Sequence, residues 1–193
     1  MPPRLPLAPV LIVLALGVLA GCADSRTAAP SLARIQAPQG LEAASYLGGS
    51  LRLTVPVNWA AQPGAAPLVV TYSSGPAIIA IWRYPRSRSQ SLPDDVAALQ
   101  RARSALIAAA TARDPTFHVI ASAVVAHAGI YGVELDALET IRGQVRRVRS
   151  THAYGDGAEL VIDEYAPESL FHEVDRAVFS PLLHSVRVGR VSK

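Results

Sequence analysis

Four strand-like segments follow one another through the second half of this 193-residue chain, and glycine stands in every joint between them. They run over roughly 117–126, 131–141, 145–154 and 158–165. The joints are Ala128-Gly129, Arg142-Gly143-Gln144 and Gly155-Asp156-Gly157. Glycine enters the left-handed backbone of a tight reversal without steric cost, so each segment folds back on the last and an antiparallel meander results. Leu160-Val161-Ile162 is its most apolar stretch and belongs at the centre, while the near-continuous apolar run over 77–82 in the first half reads as a strand covered on both faces.

The half before the meander adds strands and one long helix. Ser50-Leu51-Arg52-Leu53-Thr54-Val55 alternates polar with apolar, which places Leu51, Leu53 and Val55 on a buried face. Pro56 stops this strand, and Trp59 just beyond it reads as a plug at the edge of the core. Residues 68–72 and 77–82 are two more apolar runs joined by Ser73-Ser74-Gly75-Pro76, hence a hairpin. Ser91-Leu92-Pro93-Asp94-Asp95 has the composition of a helix start, with Ser91 or a neighbour as cap. Val96, Leu99, Ala102, Leu106 and Ala109 then form an apolar stripe, and the helix should end before Asp114-Pro115. A closing helix runs from 169 or 170 to about 183, with Leu170, Val174, Val178 and Leu182 inward and a bend at Pro181. Residues 185–188 look extended again.

In order, these elements are strand, hairpin, long helix, meander and closing helix. Together with Val55-Pro56-x-x-Trp59, Ala128-Gly129-x-Tyr131-x-x-Glu134 and Phe179-x-x-Leu182-Leu183-x-Ser185-Val186, the order resembles the PsbP-like fold. That group includes the extrinsic PsbP protein of photosystem II, a Ran-binding nuclear import factor and LpqN-type lipoproteins of GC-rich Gram-positive bacteria. The resemblance covers about residues 46–188. It implies an α+β domain, an antiparallel β-sheet flanked by helices as an αβα sandwich, and a non-catalytic protein that docks onto a partner. No stretch reproduces a metal-ligand set or a photosystem contact.

The N-terminus addresses location. An apolar run over 5–20, preceded by Arg4, has the length of a secretory leader and falls short of the roughly 20 residues that span a bilayer. It ends in Leu19-Ala20-Gly21-Cys22, which resembles the lipobox of bacterial lipoproteins. The resemblance implies removal of residues 1–21 and a diacylglycerol on the sulphur of Cys22, with or without an added N-acyl chain, and no other cofactor. Two or three acyl chains, at roughly 0.8 kcal/mol per buried CH₂, hold a protein on a membrane where one would not. Cys22 is the only cysteine, so no internal disulfide competes for it. Residues 22–45 are poor in large apolar side chains and carry Pro30, Pro38 and Gly40, as a tether does. One domain over 46–188 and a tail over 189–193 complete the organisation. The expected location is the outer face of the cytoplasmic membrane, or an outer membrane if the host has one.

Charge and motifs narrow the chemistry. Without Arg4 the chain carries 17 basic against 15 acidic residues, a balance that gives no case for nucleic acid. His172-Glu173 begins a zinc-protease pattern, but Arg176 stands where its second histidine belongs. Ser73 and Ser74 lack a nucleophile-elbow context, and no S-x-x-K occurs. His118, His127, His152, His172 and His184 are dispersed. Asp163 and Glu164, adjacent in a strand, point to opposite faces and do not form a carboxylate pair. No catalytic or metal residues are therefore assigned, and the chain is not read as an enzyme.

One charge cluster stands out, namely Arg142, Arg146, Arg147 and Arg149. It has two readings: contact with an anionic lipid, glycan or acidic partner, or cross-strand pairing with Glu134, Asp136 and Glu139. A three-residue turn at 142–144 would set Glu139 opposite Arg147. Two functions follow for the whole chain. The first is a membrane-anchored binding or scaffold module that recruits an envelope protein or holds a lipid or glycolipid. The alternative is a carrier with an apolar cavity between sheet and helix.

Overall fold

The computed structural model describes residues 34–87, 91–127 and 130–189. The apolar leader, the lipobox with Cys22, the tether as far as residue 33, the Ala128-Gly129 joint and the final four residues lie outside the described residues.

The fold is α+β. Strands β1 (Leu41–Tyr46), β2 (Leu51–Pro56), β3 (Ala60–Pro63), β4 (Leu68–Ser74) and β5 (Ala77–Pro85) precede helix α1 (Val96–Arg113). The meander strands β6 (His118–His127), β7 (Ile130–Ile141), β8 (Gln144–Gly155) and β9 (Ala158–Pro167) come next, then α2 (Glu168–Val174), α3 (Ser180–Ser185) and β10 (Arg187–Val188). Seven strands form one antiparallel sheet in the order β3-β4-β5-β9-β8-β7-β6, with β9 at its centre as its apolar run requires. β1, β2 and β10 make a second, three-stranded sheet.

The main core lies on one face of the large sheet. Leu51, Leu53 and Val55 of β2 meet Ile79, Ile81 and Ile162, and the C-terminal helices close over them with Phe171, Phe179 and Leu182. Trp59 plugs this core as its position after a strand end suggested. Its ring stands edge-on to Phe179 at 6.3 Å, and its Nε1–H donates to the carbonyl of Gln36 at 3.2 Å.

Four expectations are corrected. The spacer assigned to 22–45 does not extend so far, because Leu41–Tyr46 pairs with β2, and the Gln36 N–H donates to Ser74 Oγ at 2.8 Å. The body thus begins by residue 34 rather than 46, a start hidden by the small side chains of β1. The hairpin turn makes room for this docked segment at Gly75, whose φ is +53 and where a Cβ would lie 2.5 Å from the Arg34 carbonyl oxygen. Gly189 also belongs to the body rather than the tail, since its N–H donates to the Ser50 carbonyl at 2.9 Å.

Second, α1 starts at Val96, capped by Asp95, whose carboxylate accepts from the Ala98 N–H at 2.6 Å. Only Leu99 of this helix is buried, and Val96 is 65% exposed. The reason is that α1 rests on β6 and β7, at the rim of the sheet, where Leu99 meets Val133 and Leu135. Third, the closing helix is not a plain α-helix interrupted at Pro181. Its backbone stays right-handed through Val174, Asp175, Phe179 and Ser180, and Pro181 follows directly on a change of helix type. The irregularity falls just before it, in a π-helical turn over Asp175–Phe179 that turns both Val178 and Phe179 inward and leaves Leu170 exposed.

Fourth, the β7–β8 reversal has two residues, not three. Arg142 and Gly143 both take positive φ, 50 and 76, as this class of hairpin turn demands. Glu139 is consequently opposite Arg146, and Leu138 opposite Arg147. A shift of one residue moves every side chain to the other face.

Candidate functional site

The arginine cluster is divided by that register. Arg142 is exposed on the turn. Arg146 lies on the α1 side of β8 and donates to the Pro76 carbonyl at 2.7 Å. Arg147 and Arg149 point to the opposite face. Arg147 Nε donates to Asp136 at 2.9 Å, and its guanidinium lies 5.0 Å from the centre of the Phe171 ring. Arg149 bridges Glu164, at 2.6 Å, and Asp175, at 2.8 Å. The four guanidinium groups do not share a surface, and two of them serve the packing of α2.

Glu164 is 0% exposed. Its burial, opposed by Arg149 and reinforced by Asp175, pushes its carboxyl up to about 8. Arg149 itself stays charged: burial works against the charge, but Glu164 and Asp175 outweigh it. One guanidinium faces two carboxylates here, and the fully enclosed Glu164 is the one that burial makes hold its proton more tightly. Among the described residues Glu164 Oε1 has no hydrogen-bond partner.

A different group converges on the other face. Strand alternation brings Ser150 and His152 of β8 beside Glu159 and Asp163 of β9, with Ser150 directly opposite Asp163. Because α1 covers only the rim, these side chains line an open cleft of about 400 Å³, together with Tyr84, Arg86 and Arg113. His152 Nδ1 contacts Glu159 Oε1 at 2.8 Å and Nε2 contacts Ser150 Oγ at 3.1 Å. Ser150 Oγ donates to Asp163 Oδ1 at 2.5 Å, and Arg86 pairs with Glu159. A narrower extension of about 110 Å³ runs under α1, past Leu106, Glu139 and Tyr165.

Electrostatics differ sharply between the carboxylates. For Glu159 burial works upward, but the bonds and charges of His152 and Arg86 outweigh it and hold its carboxyl below the usual range. Asp163 is raised by burial, against the bond from Ser150 and the charge of His152. Glu139 is raised by burial and by neighbouring Asp114. Asp163 and Glu164 do face opposite ways, as strand geometry requires.

Glu159, His152 and Ser150 are in line, as in an acyl-transfer triad, yet two features set them apart from one. Ser150 Oγ lies at 2.5 Å from Asp163 and 3.1 Å from His152 Nε2, so the carboxylate competes with the histidine for the serine proton that a base-activated nucleophile gives to its base. β8 and β9 each pair with a neighbour on both sides, so their amides serve the sheet and are not free to hold an oxyanion. What remains is a fixed array of donors and acceptors, suited to recognition of a polar group. This array was missed in the sequence because histidines were compared with histidines. The usable signal was Asp156-Gly157: a two-residue turn there puts Ser150 opposite Asp163 and His152 opposite Val161.

The sequence matches no protein-family model and no curated protein. Solved structures do match. A cyanobacterial PsbP, CyanoP from Synechocystis, superposes with a TM-score of 0.62 at 12% identity, over 90% of this chain and 100% of that one. The fold is PsbP-like. LpqN of Mycobacterium tuberculosis, described as involved in cell envelope biogenesis, gives 0.55 at 14% identity, over 78% of this chain and 91% of its own. At such identities the likeness carries the PsbP-like architecture and leaves the ligand open. No helix among the described residues is long and apolar enough to cross a membrane.

Proposed function

We propose that this chain is an extracytoplasmic lipoprotein, anchored through diacylglycerol on Cys22, that acts as a non-catalytic binding or scaffold module of the cell envelope. Its partners are the membrane, through the anchor, and an envelope protein, lipid or glycolipid. Nucleic acid is not among them. The leader-like run over 5–20 ending in Leu19-Ala20-Gly21-Cys22 supports the anchor, and the envelope role described for LpqN agrees with it.

The observation that carries recognition over catalysis is the mutual saturation of Ser150, His152, Glu159 and Asp163. A polar ligand meets groups already oriented by one another. The carrier reading fits less well, because Arg113, Glu139, His152 and Asp163 line the space between α1 and the sheet, where an apolar cargo needs apolar walls. Hydrolysis of chromogenic acetyl and butyryl esters tests the reading. The wild-type protein and Ser150→Ala should both run at the buffer rate; turnover that Ser150→Ala abolishes would contradict it.

A further inference from the structure

Arg86, Arg147 and Arg149 are each held by a carboxylate. Arg83 is not. It stands near the end of β5, half-buried, on the face that carries Ile79 and Ile81, and no carboxylate or carbonyl among the described residues reaches its guanidinium. Together with Leu47 it forms the wall between two hollows. One is a small gap of about 20 Å³ against Leu51, Asp156, Leu160 and Val188, in which no ion pair joins Asp156 to Arg83. The other is an open cleft of about 590 Å³ walled by Tyr46, Pro67, Leu68 and Val69. That volume lies within the roughly 300–1,000 Å³ typical of small-molecule sites.

A half-desolvated cation with no ion-pair partner among the described residues, set at the head of an apolar trough, is complementary to one kind of molecule. An anionic oxygen group accepts the fork of guanidinium N–H bonds. A hydrocarbon tail attached to it removes the trough from water. We propose that this cleft binds an anionic lipid, its carboxylate or phosphate head on Arg83 and its chain along Pro67, Leu68 and Leu47. The site lies on the opposite face of β5 from the His152 cleft, and does not depend on what that cleft recognises.

The test is fluorescence titration of the full chain with a conjugated-polyene fatty acid and with the alcohol of the same chain. The wild-type protein should bind the acid saturably and the alcohol about tenfold more weakly, since a charge-assisted hydrogen bond is lost. Arg83→Gln should abolish that preference while leaving the thermal midpoint in place, because Arg83 supports no other residue. Leu47→Asn should weaken both probes alike. Leu47 is 39% exposed at a φ of 55 that asparagine tolerates, so this variant should fold. Equal binding of acid and alcohol, unchanged acid binding in Arg83→Gln, absence of saturable binding, or displacement of the acid by inorganic phosphate at equal concentration would each overturn the proposal.

Discussion

The two faces of the large sheet are built on opposite terms, although the same strands supply both. Toward α2 and α3 the sheet is sealed by Ile79, Ile81, Ile162, Phe179 and Leu182, all at most 2% exposed, around the ionic island of Arg149, Glu164 and Asp175, with the Arg147–Asp136 pair on the same face. Toward α1 the helix buries Leu99 alone and leaves Ser150, His152, Glu159 and Asp163 lining a cleft. Asp163 and Glu164 are neighbours in β9, yet one lines an open cleft and the other is fully enclosed. Most of the buried apolar bulk therefore lies on the closed face, and the open face carries a polar pattern beside the smaller cluster of Leu99, Val133 and Leu135.

That contrast predicts a graded set of effects. Phe179→Ala, on the closed face, should cost about 3–5 kcal/mol in chemical denaturation, because a large void cannot be refilled. Arg149→Ala should cost about 3 kcal/mol near neutral pH, for a broken buried network. The loss should grow above pH 8, where Glu164 would have to ionise without a partner. An Arg149→Met, Glu164→Leu double variant should recover most of it.

The pH dependence of the two faces should run in opposite directions. Glu164 has its carboxyl raised from 4.5 to about 8, so the folded state holds the proton more tightly. Its contribution is complete below pH 4.5 and is lost as pH rises through about 8. Glu164→Gln should flatten that decline in urea midpoints measured across the range. Glu159 is lowered, so its contribution is present at neutral pH and is lost on acidification; Glu159→Gln should remove this acid-side loss.

The smallest effects belong to the cleft. Ser150→Ala and His152→Ala should each cost no more than about 1 kcal/mol, the net value of a partly solvated hydrogen bond. If either matches Phe179→Ala, the cleft is structural and the contrast between the faces fails.

Most of the architecture was legible because it rests on local rules. Alternation exposed β2, glycines marked the meander, and the apolar run of Leu160-Val161-Ile162 placed β9 at the centre. β1 escaped because Leu41-Glu42-Ala43-Ala44-Ser45 carries little apolar bulk, and its pairing to β2 is a long-range fact. The π-helical turn at 175–179 was equally silent, since no residue type specifies it. The pairing depends on register: counting Arg142-Gly143-Gln144 as a three-residue turn set Glu139 opposite Arg147, whereas its partner is Arg146. Once Asp156-Gly157 is taken as a two-residue turn, the Ser150 and Asp163 pair follows from arithmetic alone.

An inert recognition surface held at a membrane requires that Cys22 carry lipid. Intact-mass analysis of the protein extracted from its native host tests this directly. The predicted product begins at Cys22 and bears a thioether-linked diacylglycerol. A free thiol on that residue, or a mature chain beginning elsewhere, would contradict it.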